Sequence, residues 1–224
     1  MNVLIACEES QVVCTAFRKR GHNAFSCDIV NPSGGHPEWH ILGDVLNVLN
    51  GGDFSTMDGC LHHVDKWDLL IAHPPCTYLS NAGACRLYHP KGCLDKERYK
   101  KGLEAKEFFM CFYNANCEKI AIENPLPSKV FGLPSPTQVI HPYQYDHYDE
   151  HPYTKKTLLW LKGLNPLIPT TPDRTPIAPY VPSGTSRKDR SKYGAAKRGD
   201  DSKNRSKTFR GVADAMANQW GGKI

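Results

Sequence analysis

The chain of 224 residues carries 28 Lys and Arg against 23 Asp and Glu, a formal net charge of +5. That length can bury one full-sized core with a small appendage, and 40% apolar with 23% charged residues is an ordinary globular balance. No apolar run approaches the ~20 residues of a membrane-spanning helix and no signal-peptide pattern opens the chain, so a cytoplasmic protein is expected.

Residues 2–7 read as a buried first strand, followed by Glu8-Glu9-Ser10 and an amphipathic helix over 11–20 that Gly21 ends. Residues 23–28 form a second strand and close a βαβ unit. Asp28, at its end, is placed to accept hydrogen bonds from the ribose of a nucleotide-like cofactor. The turn after the first strand holds Cys7-Glu8-Glu9-Ser10 where a glycine-rich phosphate loop would stand. Two carboxylates there repel a pyrophosphate but suit a sulfonium or amino group, which favours S-adenosylmethionine over NAD. Residues 31–40 are an irregular loop, and 41–45 a short third strand that includes an acid. That acid, Asp44, either contacts an adenine amino group or caps a helix running toward Leu49. Residues 54–64 predict a further helix.

The apolar run 67–72 reads as a buried parallel strand, stopped by Pro74-Pro75 with Cys76 just beyond. Residues 81–94, rich in Gly, Cys and His, are a candidate lid. Residues 95–117 predict the longest helix, with Phe108, Phe109, Cys111 and Phe112 on its buried side. A second run, 119–122, ends in Glu123-Asn124-Pro125. Strand, helix, strand places consecutive parallel strands side by side or nearly so, and neighbours lie about 4.8 Å apart. Cys76 and Glu123 are therefore expected to line one pocket. Two more strands follow at 138–141 and 157–161, then a connector over 165–182 with prolines at 166, 169, 172, 176, 179 and 182. Residues 183–210 hold ten Lys or Arg against three Asp, so that segment is +7 and the remainder −2. It reads either as a phosphate-backbone contact or as a solvated loop. A last helix runs from 212 to 220, and there is no internal repeat.

Nine cysteines, an odd number at irregular spacing without a CxxC pair, do not form a disulfide framework. Cys60 with His62 and His63, or Cys85 with His89 and Cys93, lacks a matching second half for a metal site, and no metal is expected. A thiolate that attacks carbon 6 of a pyrimidine makes carbon 5 nucleophilic, and an acid beside ring nitrogen 3 keeps the adduct neutral. Such an acid works best with its pKa raised by burial. Cys76 and Glu123 fit these two roles, whereas the histidines, His73 included, read as structural or solvent-facing rather than catalytic.

Pro74-Pro75-Cys76-x-x-x-Ser80-x-Ala82-Gly83 and Glu123-Asn124 resemble the catalytic loop and the glutamate-asparagine motif of cytosine carbon-5 DNA methyltransferases. In texture the chain is similar to the short forms of bacteriophages and prophages, which implies a bacterial or phage-infected host cytoplasm. The resemblance covers most of residues 1–162. It implies an α/β fold, the class I S-adenosylmethionine-dependent methyltransferase (Rossmann-like) sheet with helices on both faces and a small irregular basic insertion. Its catalytic core would be 1–164, a reduced target-recognition region 165–207, and a C-terminal helix within 208–224 would pack back on the core. Cys7, Glu8, Glu9, Ser10, Asp28, Ile29, Asp44, Val45 and Pro74 would hold S-adenosylmethionine. Ser80, Lys156, Arg187, Lys188, Arg190, Lys192, Lys197 and Arg198 would meet DNA, with the target base flipped out of the duplex. The glycine-rich first motif and the Gln-x-Arg-x-Arg motif are absent, and Lys155 or Lys156 stands in for the arginine. With so small a recognition region, a protein partner could supply specificity. The same fold acting on RNA or a free pyrimidine nucleotide, or an inactive DNA-binding or host-interaction module, are the alternatives.

Overall fold

The alternation of strand side chains decides which residues meet which layer of this protein. A computed structural model describes residues 1–84, 86–88, 92–148, 150, 153–176, 178–179 and 207–222. In chain order the elements are β1 (Asn2–Ala6), α1 (Val12–Lys19), β2 (Asn23–Asp28), β3 (His40–Leu42), β4 (Gly52–Ser55), β5 (Leu61–Val64) and β6 (Leu69–Ala72). There follow α2 (Asn81–Ala84), α3 (Lys96–Tyr113), β7 (Ile120–Pro125), β8 (Gln138–Ile140), β9 (Tyr153–Thr154), β10 (Thr157–Lys162), β11 (Ala178–Pro179) and α4 (Arg210–Trp220).

Seven strands make one sheet in the order β3-β2-β1-β6-β7-β10-β8. The first five in that order run parallel, and β10 runs antiparallel to both of its neighbours. Numbered along the chain, those five strands lie 3-2-1-4-5, the doubly wound order, and the mixed α/β sheet is compatible with a Rossmann-like fold. The order reverses between β1 and β6. A crevice opens beyond the carboxyl ends of strands at such a switch point, and the turn after β1 and His73 after β6 both stand there.

Val3 and Ile5 of β1 face one layer, where Val13 and Phe17 of α1 and Val212, Met216 and Trp220 of α4 bury against the sheet. Leu4 and Ala6 face the other, with Phe109 and Phe112 of α3 and Trp160 of β10. Helix α1 stops at Gly21, whose φ of 76° lets the His22 amide return to the Phe17 carbonyl. Helix α3 starts at Asp95, whose side chain accepts from the Arg98 amide at 2.9 Å. Cys111, expected on its buried side, is exposed, because it falls between the buried Phe109 and Phe112 on the far side of the turn.

The stretch 54–64 is not the predicted helix. It is part of a two-stranded antiparallel hairpin, β4 with β5, in which Phe54 stands opposite His62 and Gly52 opposite Val64. Phe54, Val64 and Trp67 pack into the α3-side core, with Phe25 edge-on to Phe54 at 5.0 Å. The expected third strand ends at Leu42, and Asp44 caps a short 3-10 turn by accepting from the Leu46 amide.

The proline-rich connector is strapped in place where it is described. Gln138 bonds both the amide and the carbonyl of Leu167, and Gln219 does the same for Ile168. Trp220 donates its indole N–H to the Asn165 carbonyl. These bonds seat α4 beside α1 and bring the residues before it, Thr208 and Phe209, to the end of β7. No described helix is long and apolar enough to cross a membrane.

Candidate active site

Strands β6 and β7 are neighbours in register, Ala72 opposite Ile122, so His73 and Glu123 stand at one level, although β7 runs on against β10 to Pro125. Pro74 and Pro75 end the β6 ladder. The Asn124 side chain then donates to the buried Pro74 carbonyl at 2.9 Å and ties the two exits together. Beyond Cys76 the chain turns tightly: the amides of Leu79 and Ser80 both reach the Cys76 carbonyl. Ser128 and Asn81 amides bond across to Leu79 and Leu126, which lays this turn along the segment after β7. At Gly83 a β-carbon would stand 2.0 Å from the Thr77 carbonyl oxygen, so the turn closes only over glycine. Arg98 of α3 braces it from outside, bonding the Gly83 carbonyl at 2.9 Å with its guanidinium 5.0 Å from the Tyr78 ring.

Cys76 is half-buried at the head of this turn, with Pro75 and Thr77 exposed on either side. Burial raises its thiol pKa, and the nearby Glu123 carboxylate raises it further. Glu123 departs from the sequence expectation. Burial would raise its carboxyl, but the hydrogen bond and charge of His73, with Lys155 and Thr208, reverse that and hold it below the ordinary range. His73 Nδ1 lies 2.9 Å from Glu123 Oε2. Burial would lower the imidazole pKa, yet Glu123 and then Glu8 raise it, against Lys155. The Thr208 hydroxyl stands 3.4 Å from both partners. A cavity of about 10 Å³, room for a single water, lies behind Glu123 between Lys155, Thr157, Thr208 and Phe209.

His73 and Thr208 are the residues that sequence reasoning missed. His73 read as structural because nothing local marks it; the usable signal is its position, one step past β6 as Glu123 is one step past Ile122. Of the two lysines proposed for the absent arginine, Lys155 acts on both Glu123 and Cys76, while Lys156 is exposed and acts on His141.

The turn after β1 is held in a conformation that costs energy. Cys7 and Gln11 both adopt positive φ, 59° and 57°, without being glycine. Gln11 is fully buried and clamps the 31–39 loop through the amide and carbonyl of His36. Both Glu8 oxygens are taken by the amides of Val13 and Cys14, at 2.6 and 3.1 Å. Glu8 therefore caps α1 from inside the fold and does not offer its carboxylate to a cofactor, a correction to the expected role. Glu9 and Ser10 are half-buried. Burial raises the Cys7 thiol pKa, then Asp28, Cys27 and Asp44, which places the acid at the end of β2 and the acid after β3 around the end of β1. Asp28 accepts from the Val30 amide at 3.1 Å, and burial raises its carboxyl. Ile29 beside it is 76% exposed, and so is much of the adjoining Val30. Val45 is packed in the core, so the exposed apolar neighbour of Asp44 is Leu46 instead. Pro74 is buried.

Ser80 is buried, and its hydroxyl accepts from the Gly83 amide at 3.1 Å, a bond that closes the turn. Arg187, Lys188, Arg190, Lys192, Lys197 and Arg198 lie outside the described residues. Among the described residues no group of three His, Cys, Asp or Glu side chains could hold a metal ion. Cys60 is exposed, while His62 bonds Thr56 and His63 bonds Asp53 and Asp65. Neither a protein-family model nor any curated protein matches this chain.

Proposed function

We propose that this protein transfers a methyl group from S-adenosylmethionine to carbon 5 of cytosine in DNA through a covalent adduct with Cys76. The observation that carries the reading is the convergence of a half-buried thiol and a buried carboxylate at the ends of adjacent parallel strands. They stand on the rim of the switch-point crevice, and Asn124 fixes one exit against the other. The same crevice and the 3-2-1-4-5 order support the finer assignment to the class I methyltransferase sheet.

The crevice residues fit the cofactor. Asp28 would take the ribose hydroxyls, the exposed Ile29 and Leu46 would cover the adenine, and Asp44 would take its amino group. When bound, the cofactor supplies an electrophilic methyl on a sulfonium. Cys76 attacks carbon 6 and so makes carbon 5 the nucleophile. Glu123 holds ring nitrogen 3, and the rigid Pro74-Pro75 exit keeps the sulfur on line. Lys155 offsets the charge of Glu123, which otherwise opposes the thiolate.

The test is transfer of labelled methyl to duplex DNA, single-stranded DNA, RNA and deoxycytidine nucleotides, with Cys76→Ser alongside. Label on DNA cytosine that the serine variant loses by ~10³-fold or more supports the reading. Label on RNA or nucleotides alone keeps the chemistry and changes the substrate. No label, and no rise in melting temperature with saturating S-adenosylhomocysteine, refutes it in favour of a binding module.

A further inference from the structure

Attack of Cys76 on carbon 6 requires a proton at ring nitrogen 3, and Glu123 is the group that would deliver it. The hydrogen bond and charge of His73, with Lys155 and Thr208, hold that carboxyl below its ordinary range, so near neutral pH it has no proton of its own to give. A donor stands one hydrogen bond behind it. His73 Nδ1 is 2.9 Å from Glu123 Oε2, and its side chain is only 10% exposed. An ionised carboxylate can only accept, so Nδ1 carries the hydrogen. His73 Nε2 is buried without a hydrogen-bond partner among the described residues, so the bonded routes for a proton out of this ring start at Nδ1 and lead to Glu123, directly or by way of the Thr208 hydroxyl. Charged groups face the imidazole from each element around it. Glu8 from the turn after β1 and Glu123 from β7 favour its charge, and Lys155 from between β9 and β10 opposes it. The uncharged Thr208 hydroxyl closes the side toward α4.

We propose that His73 is the proton store of this site: its Nδ1 hydrogen passes to Glu123 as Glu123 protonates ring nitrogen 3 of the bound cytosine, and returns when the adduct breaks down. This step presupposes the methyl-transfer reading above. The Cys76 thiol first loses its proton to water. The sulfur–carbon 6 bond then forms, the carbon 5–carbon 6 pair moves to the carbon 4–carbon 5 bond, and the carbon 4–nitrogen 3 pair becomes the new N–H bond. His73 is left neutral. Once carbon 5 has taken the methyl group, its hydrogen leaves to water, the sulfur–carbon bond breaks and the thiolate is released to regain a proton. The nitrogen 3 proton travels back through Glu123 to Nδ1, so one proton leaves to water per methyl transferred. His73 touches Glu123 rather than the base, and is in that sense a positioning residue.

His73→Asn keeps an N–H near the place of Nδ1 but cannot store a proton; His73→Gln serves if the first variant fails to fold. Methyl transfer to duplex DNA is followed against pH for both and for the wild type. His73 is titrated separately by nitrogen-15 NMR in the wild type and in Glu123→Gln, a measurement that needs no activity. The expected result is kcat down about 100-fold with KM little changed, and loss of the alkaline limb of the wild-type profile. The His73 midpoint should lie above that of a free histidine and fall in Glu123→Gln. An active wild type whose Asn variant keeps its kcat and pH profile overturns the proposal, as does a His73 already neutral at pH 6. A wild type that methylates nothing overturns the underlying reading instead, whatever the NMR shows.

Discussion

At Cys76 two influences act against reactivity: burial, and the carboxylate of Glu123, both raise the thiol pKa. The resting protein should therefore keep this cysteine as a thiol near neutral pH. Alkylation by iodoacetamide, followed by peptide mapping because Cys60, Cys93 and Cys111 are exposed, checks this. The Cys76 rate should still be rising well beyond pH 8.5, and Glu123→Gln should shift its midpoint downward. A flat rate above pH 8 in the wild type would contradict the electrostatics described. Cys76 and Glu123 were legible in the sequence because prolines punctuate strand ends, and strand ends are where ligands bind. His73 was not, since its partner is fixed by register between two strands. Thr208 was still less so, arriving from 135 residues away.

Among the elements, the turn from Cys76 to Ser80, ahead of the short α2, depends on individual bonds. Asn124→Ala removes the buried bond to the Pro74 carbonyl and leaves that acceptor unsatisfied. The cost should be about 1–3 kcal/mol, or a melting temperature lower by roughly 2–12 °C. Methyl transfer should fall further than stability does, because the angle between the two exits is lost; thermal melts and kcat on the same preparation separate the two. The parallel strands and the helices α1, α3 and α4 follow from apolar runs and helical spacing that any reader of the sequence can find. The β4–β5 hairpin misleads for a physical reason. Phe54, Met57, Leu61 and Val64 fall at helical spacing, but only Phe54 and Val64 are buried, while Leu61 is 85% exposed. Gly51 and Gly52, both at positive φ, open the hairpin, and Gly59 turns it. Cross-strand pairing, not one helical face, selects the buried pair.

Across the whole molecule the buried His73–Glu123 pair couples folding to pH. Glu123 has its pKa lowered, so its contribution is complete above the ordinary value of 4.5 and is lost as pH falls through the folded one. His73 has its pKa raised, so its contribution is complete below the ordinary 6.5 and is lost as pH rises through the folded one. The coupling energy from a double-mutant cycle of His73→Asn and Glu123→Gln should thus be greatest between these two values, on the order of 1–3 kcal/mol, and should decline on both sides. The cycle cancels Glu8, whose carboxyl is raised by burial. A coupling that stays constant from pH 4 to 9 would show that the pair is not charged.

Helix α4 has a consequence for how the protein is made. Synthesis delivers Cys76 and Glu123 well before α4 and the residues ahead of it, and Val212 and Met216, part of the apolar cover of α1, come only with α4. A nascent chain that has reached residue 207 presents Val13 and Phe17 without Val212 and Met216, and Glu123 without Thr208. On the ribosome such a chain exposes apolar surface of the kind chaperones bind, and Glu123 gains its Thr208 contact only when α4 has emerged and docked.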